Sequence, residues 1–158
     1  MPRFLIFITL IFAPLLANAQ SVTPRDGWMV FPTSYSYGKL VKRTRSAISK
    51  APIGIVTQAS ATVGAKSQGI KIRGNIVIGV YRNDYARRML QASIAAGVEA
   101  PIRLYITENK DKTATLSYKT ASFVFAPYMD EGGQDLHDLA EQLDGVLLKI
   151  AQKAATAP

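Results

Sequence analysis

Three short runs of this sequence have the residue types and chain order of acyl-transfer machinery. Ser36-Tyr37-Gly38-Lys39 pairs a serine with a lysine one helical turn on, Tyr81-Arg82-Asn83 follows a β-like run, and Lys119-Thr120-Ala121 ends another. They echo the S-x-x-K, Y-x-N and K-T-G motifs of penicillin-binding proteins, in which the lysine eases removal of the serine proton. Two features weigh against this serine–lysine acyl transferase of the cell wall. The chain has 158 residues, far fewer than that fold needs, and Lys119-Thr120-Ala121 lacks the glycine that lets a substrate lie along the strand. Ser36 is expected instead to cap a helix.

Other sites are weaker still. Gly64 to Gly69 has phosphate-loop spacing, but Ile70-Lys71 follows where Lys-Ser/Thr belongs. His137, the single histidine, stands at i, i+4 with Glu141, and one such pair beside Asp138 is expected on a solvated helix face. The chain has no cysteine, which removes disulfides, thiolate nucleophiles and cysteine metal sites together. No catalytic residue, metal or cofactor is expected.

The elements that position any site begin after a leader. Arg3, the apolar run Phe4 to Leu16 and Ala17-Asn18-Ala19 before Gln20 read as a signal peptide over residues 1–19. Its apolar stretch is shorter than the ~20 residues that cross a bilayer. Cleavage after Ala19 is therefore expected, giving a periplasmic or secreted protein with no membrane span. Residues 20–26 are expected to be loose, 27–153 to form one domain and 154–158 to fray.

Charge is uneven along the chain. Residues 25–119 hold 16 Lys/Arg against 5 Asp/Glu, whereas residues 120–158 hold 2 against 6. The basic body points to an anionic partner, a small molecule or an envelope component; export argues against nucleic acid, and no aromatic-and-basic RNA signature is present. Lys42, Arg43 and Arg45 are expected on a solvated helix face.

Trp28 to Phe31 reads as a strand ended by Pro32, followed by a helix from the Ser36 cap to about Lys50. Ile53 to Ala59 and Asn75 to Tyr81 read as strands. Asn83 is expected to cap a helical stretch from Asp84 to Gly97, with Met89 and Leu90 in the core. Ile102 to Thr107 and Thr113 to Lys119 alternate as a hairpin, a loop is expected from Ala126 to Gly133, and Leu136, Leu139, Ala140, Leu143, Val146, Leu147 and Ile150 form the apolar stripe of a long helix. Strands in this order predict an α+β domain, an antiparallel sheet packed against helices.

Several runs carry a resemblance. Ala65-Lys66-Ser67-Gln68-Gly69-Ile70-Lys71-Ile72, Val77-Ile78-Gly79, Ala100-Pro101-Ile102-Arg103-Leu104 and Leu116-Ser117-Tyr118 resemble the domain of unknown function numbered 302, over roughly residues 27–153. The resemblance implies a strand–helix–four-strand–helix architecture, a small homodimeric domain and no established activity. Where that family has Asp-His, this chain has Ser60-Ala61, and where it has Gly-Asn-Pro, this chain has Gly79-Val80-Tyr81. Lys66, Lys71, Arg73 and Arg103, with Tyr118, match the family or flank its strands and are the ligand-binding candidates; the two arginines can pair bidentately with a carboxylate or phosphate. The expected function is an exported, non-catalytic binding or interaction domain, with the acyl transferase or a structural partner of an envelope complex as alternatives. A pocket between the last helix and the sheet would favour binding, and a tight core there the structural role.

Overall fold

Runs of β-branched and aromatic residues with period-two alternation build five strands: β1 (Trp28–Ser36), β2 (Gly54–Ala59), β3 (Asn75–Tyr81), β4 (Ile102–Glu108) and β5 (Thr113–Lys119). The computed structural model describes residues 20–156, so the signal-peptide reading of residues 1–19 lies outside the described residues. The strands form one antiparallel sheet in the order β1-β5-β4-β3-β2. Five helices accompany it: α1 (Tyr37–Ile48), α2 (Ala61–Ser67), α3 (Asn83–Ala92), α4 (Ala121–Phe125) and α5 (Met129–Ala155). This is a single α+β domain, and none of its described helices is long and apolar enough to cross a membrane.

One face of the sheet is the core face. Ile76, Ile78 and Val80 of β3, Leu104 and Ile106 of β4 and Leu116 of β5 are all buried there. Leu40, Thr44 and Ile48 of α1 and Leu136, Leu139, Leu143, Leu147 and Ile150 of α5 cover them. Each such side chain contributes roughly 1.5–3 kcal/mol by leaving water, so the unbroken α5 stripe is the largest single anchor of the fold.

Several local expectations need correction. Pro32 does not end β1; it pairs with Thr115 inside the strand, which is tolerable because β1 is an edge and needs no N–H on its outer side. Ser36 occupies the cap position of α1 but makes no side-chain cap bond, because it is still paired with Thr113 in the sheet. Arg82, not Asn83, precedes α3, and the stretch to Gly97 breaks at Ser93 into a short 3-10 turn over Ala95–Glu99. Met89 is buried as expected, whereas Leu90 is 46% exposed on the outer side of α3. The loop expected over residues 126–133 is helical apart from Gly133, whose φ of 55° kinks the start of α5.

Both ends of the described residues make tertiary contacts. Ser21 donates its backbone N–H to Asn109 Oδ1 at 2.9 Å and its hydroxyl meets that of Thr107, while Val22 is buried. Residues 20–26 are therefore not loose as a whole. At the other end Ala154 is buried and α5 continues through Ala155. Arg43 is not a solvated charge: its guanidinium donates to the carbonyls of Ala154 at 2.7 Å, Lys153 at 3.0 Å and Thr156 at 2.5 Å, satisfying the last turn of α5 with the charge a helix C-terminus favours.

Candidate functional site

The second face of the sheet is where the strands leave chemistry exposed. Period-two parity sends Arg103, Tyr105 and Thr107 of β4 to this face, because Leu104 and Ile106 take the core. The register pairs Trp28 with Lys119 and Gly79 with Arg103, and the Leu104–Tyr118 pairing places Arg103 beside Lys119. One cross-strand row thus reads Trp28, Lys119, Arg103, Gly79. Gly79 is where this row must stay low: a Cβ there would meet Pro101 Cγ at 2.8 Å and collide with the Thr57 hydroxyl.

Two short helices wall this row into a groove. On one side α4 is fixed by two devices. The Thr120 hydroxyl caps it by accepting from Phe123 N–H at 3.2 Å, and Asp144 of α5 accepts from the Ala121 N–H at 2.5 Å and the Ser122 hydroxyl at 2.6 Å. On the other side Ser60 caps α2, accepting from Val63 N–H and donating to the Asn75 carbonyl at 2.5 Å. Ser60-Ala61, the departure from the family's Asp-His, is therefore a helix start at the groove's edge. The groove encloses about 790 Å³, lined by Trp28, Val77, Tyr105 and Phe123 as apolar walls and by Arg103 and Lys119 as cations, with Glu99 also at its border. That volume suits a small organic ligand.

Its electrostatics are lopsided. The ammonium of Lys119 lies 5.8 Å from the centre of the Trp28 ring and 5.9 Å from that of Phe123. Arg103 stands next to it, and among the described residues neither cation makes an ion pair. Glu99 is engaged elsewhere: it accepts from the Tyr128 hydroxyl at 3.0 Å, and this bond holds the Tyr128 phenol above its ordinary pKa. Like charges directly opposite on adjacent strands are destabilising, and here they face a largely apolar cleft whose bordering carboxylate, Glu99, is bonded to Tyr128.

The candidates separate in space. Arg103 lies in the groove. Lys66, Lys71 and Arg73 are exposed on α2 and the segment after it and do not line the groove. Tyr118 borders the groove but is 2% exposed, its ring stacked on Phe31 at 6.3 Å, and burial with the Asp144 carboxylate nearby raises its phenol pKa. The reason is parity: Tyr118 pairs with Leu104 and shares its core face. Trp28, Tyr105 and Phe123 were missed as site residues and Lys119 figured only in the acyl-transfer run, although the alternation around Arg103 already puts Tyr105 on the same face. Between α5 and the sheet the packing is tight, with only about 30 Å³ beside Met89, Leu139 and Leu143. The tight packing on the helix side is the arrangement that favours the structural role, whereas the groove able to hold a ligand lies on the opposite face.

The acyl-transfer runs are not assembled. Ser36 pairs with Thr113 and Trp28 with Lys119, so Ser36 and Lys119 stand at opposite ends of the β1–β5 ribbon. Lys119 is six residue steps along the strand from Thr113, roughly 20 Å at the usual rise. His137 and Glu141 are exposed, and no group of three His, Cys, Asp or Glu side chains that could hold a metal occurs among the described residues.

The model of the family described as domain of unknown function DUF302 matches residues 29–153. The chain belongs to the DUF302 family. A crystal structure described as an uncharacterized conserved DUF302 protein from Bacillus stearothermophilus is similar in fold, with a TM-score of 0.71 at 14% identity over 82% of this chain and 99% of that one. No curated protein matches. The DUF302 fold accounts for the sheet and its core face. At 14% identity the likeness extends to the fold alone, and the groove's chemistry is read from this chain.

Proposed function

We propose that this DUF302 domain is an exported, non-catalytic binding domain whose groove takes a small anionic amphiphile, an alkyl or aryl carboxylate or a comparable anion. The observation that carries this reading is the unpaired Arg103–Lys119 row beneath Trp28, Tyr105 and Phe123. A guanidinium and an ammonium side by side fit one anionic head, and the aromatic walls fit its apolar body. Two cations side by side cost stability, and placed in a cleft they offer an anionic head a paired site. Export rests on the composition of residues 1–19.

The test separates binding from folding because the two should move in opposite directions. Arg103→Gln and Lys119→Gln are each expected to raise stability by about 0.2–1 kcal/mol, by relieving the cross-strand repulsion. Each is expected to weaken decanoate binding about tenfold or more in calorimetric titration, the usual effect of losing a hydrogen bond to a charged group. A loss of stability with unchanged decanoate affinity would refute the reading.

The homodimer also stands as a proposal. β2 is an open edge with Val56 53% exposed, which suits strand pairing with a second copy. Light scattering that shows only monomer would rule it out.

A further inference from the structure

The segment from residue 61 to 75 carries the three basic candidates outside the groove together with three exposed apolar side chains. Val63 on α2 is 71% exposed, and Ile70 and Ile72 on the segment after it are 54% and 41% exposed. Lys66, Lys71 and Arg73 alternate with them and are exposed as well. The segment is not a loose loop. Ile70 N–H donates to the Ala65 carbonyl at 2.9 Å, the Thr62 hydroxyl donates to the Arg73 carbonyl at 3.0 Å, and Asn75 N–H donates to the Thr62 hydroxyl at 2.9 Å. These bonds fold residues 61–75 into one preformed projection.

We infer that this projection docks the domain on an anionic membrane surface, with Val63, Ile70 and Ile72 entering the headgroup boundary and Lys66, Lys71 and Arg73 meeting lipid phosphates. Exposed apolar side chains interleaved in sequence with cations match that boundary, where an apolar layer adjoins negative charge. Glu108, near Arg73, is an already paired carboxylate. Glu108 accepts from Gly74 N–H at 2.9 Å and pairs with Lys112 at 3.2 Å; the Gly74 bond first, then Lys112 and Arg73, hold its carboxyl below the usual range. A two-fold contact centred on this patch would set cation against cation. The inference is independent of the groove, whose lining does not include these six side chains.

The test is co-sedimentation of the purified protein with vesicles of phosphatidylglycerol mixed into phosphatidylcholine, and with pure phosphatidylcholine vesicles. Wild type and variants are prepared identically. Binding is expected only to the anionic vesicles and is expected to weaken as salt rises. A cation near such a surface contributes about fivefold to partitioning, so Lys66→Gln/Lys71→Gln/Arg73→Gln should lose on the order of a hundredfold. Ile70→Ser/Ile72→Ser, with its charge unchanged, should lose at least severalfold while its thermal unfolding matches wild type. Dextran sulfate in solution distinguishes the alternative. The inference is overturned if neutral vesicles bind equally, if the serine variant binds anionic vesicles like wild type, or if dextran sulfate binds as tightly as the vesicles.

Discussion

Asn109→Ala is expected to destabilise the folded chain by about 2–4 kcal/mol and to release the segment before β1. Asn109 is 2% exposed in the β4–β5 turn, and its side chain serves three elements at once. Its Oδ1 accepts from the Ser21 N–H, the Ser21 hydroxyl and the Thr115 hydroxyl, each at 2.9 Å, and its Nδ2 donates to the Thr113 hydroxyl at 2.9 Å. A typical bond of this kind contributes ~0.5–1.5 kcal/mol, but a buried donor left without a partner costs ~1–3 kcal/mol. Thr115, fully buried, would be such a donor. Urea unfolding measures the loss, and hydrogen exchange at Ser21 reports the release. A loss below about 0.5 kcal/mol, or unchanged protection at Ser21, would show that the network does not hold the segment.

Gly27→Ala is expected to cost about 2–4 kcal/mol and to open the groove. Gly27 has φ of 71°, a conformation that costs an L-residue ~1–2 kcal/mol. A Cβ there would also collide with the Phe123 ring and stand 2.7 Å from Phe123 Cβ. Rotating the ring cannot relieve a contact at its root, so α4 itself must move, and overpacking of this kind adds ~1–3 kcal/mol. The Thr120 N–H bond to the Gly27 carbonyl at 2.9 Å ties the two segments and would be strained with them. Because Phe123 is one wall of the groove, decanoate affinity should fall together with stability. A variant that unfolds like wild type would show that α4 is free to yield.

The long, strongly periodic elements were legible in the sequence, and the reason is physical. The large buried apolar residues of β3, β4, β5 and the α5 stripe all fall on the core face, so their periodicity is dictated by packing. The short helices were not legible. α2 buries no residue completely, and α4 is five residues long and held by Asp144 from a distant part of the chain, so neither is long enough to show a helical period. Pro32 misled because a proline ends a central strand but not an edge, and strand order is a tertiary fact. The site was half legible for a similar reason. Alternation places Arg103 and Tyr105 together, but only the register shows that Lys119, and not Tyr118, is their neighbour across the ribbon. Nothing local ties Trp28 and Phe123 to that row; the β1–β5 pairing and the fixing of α4 do.

Trp28 makes the central proposal directly measurable, because it is the sole tryptophan of the chain and lines the groove. Its emission should respond to whatever occupies the space above Arg103 and Lys119. The decisive experiment titrates the wild-type protein with decanoate and, separately, with decyltrimethylammonium, both below their micelle-forming concentrations. A saturable, salt-sensitive change in Trp28 emission with decanoate, and none with the cation, is the result expected of an anion-selective groove. No saturable change with decanoate, or an equal change with the cation, would contradict it.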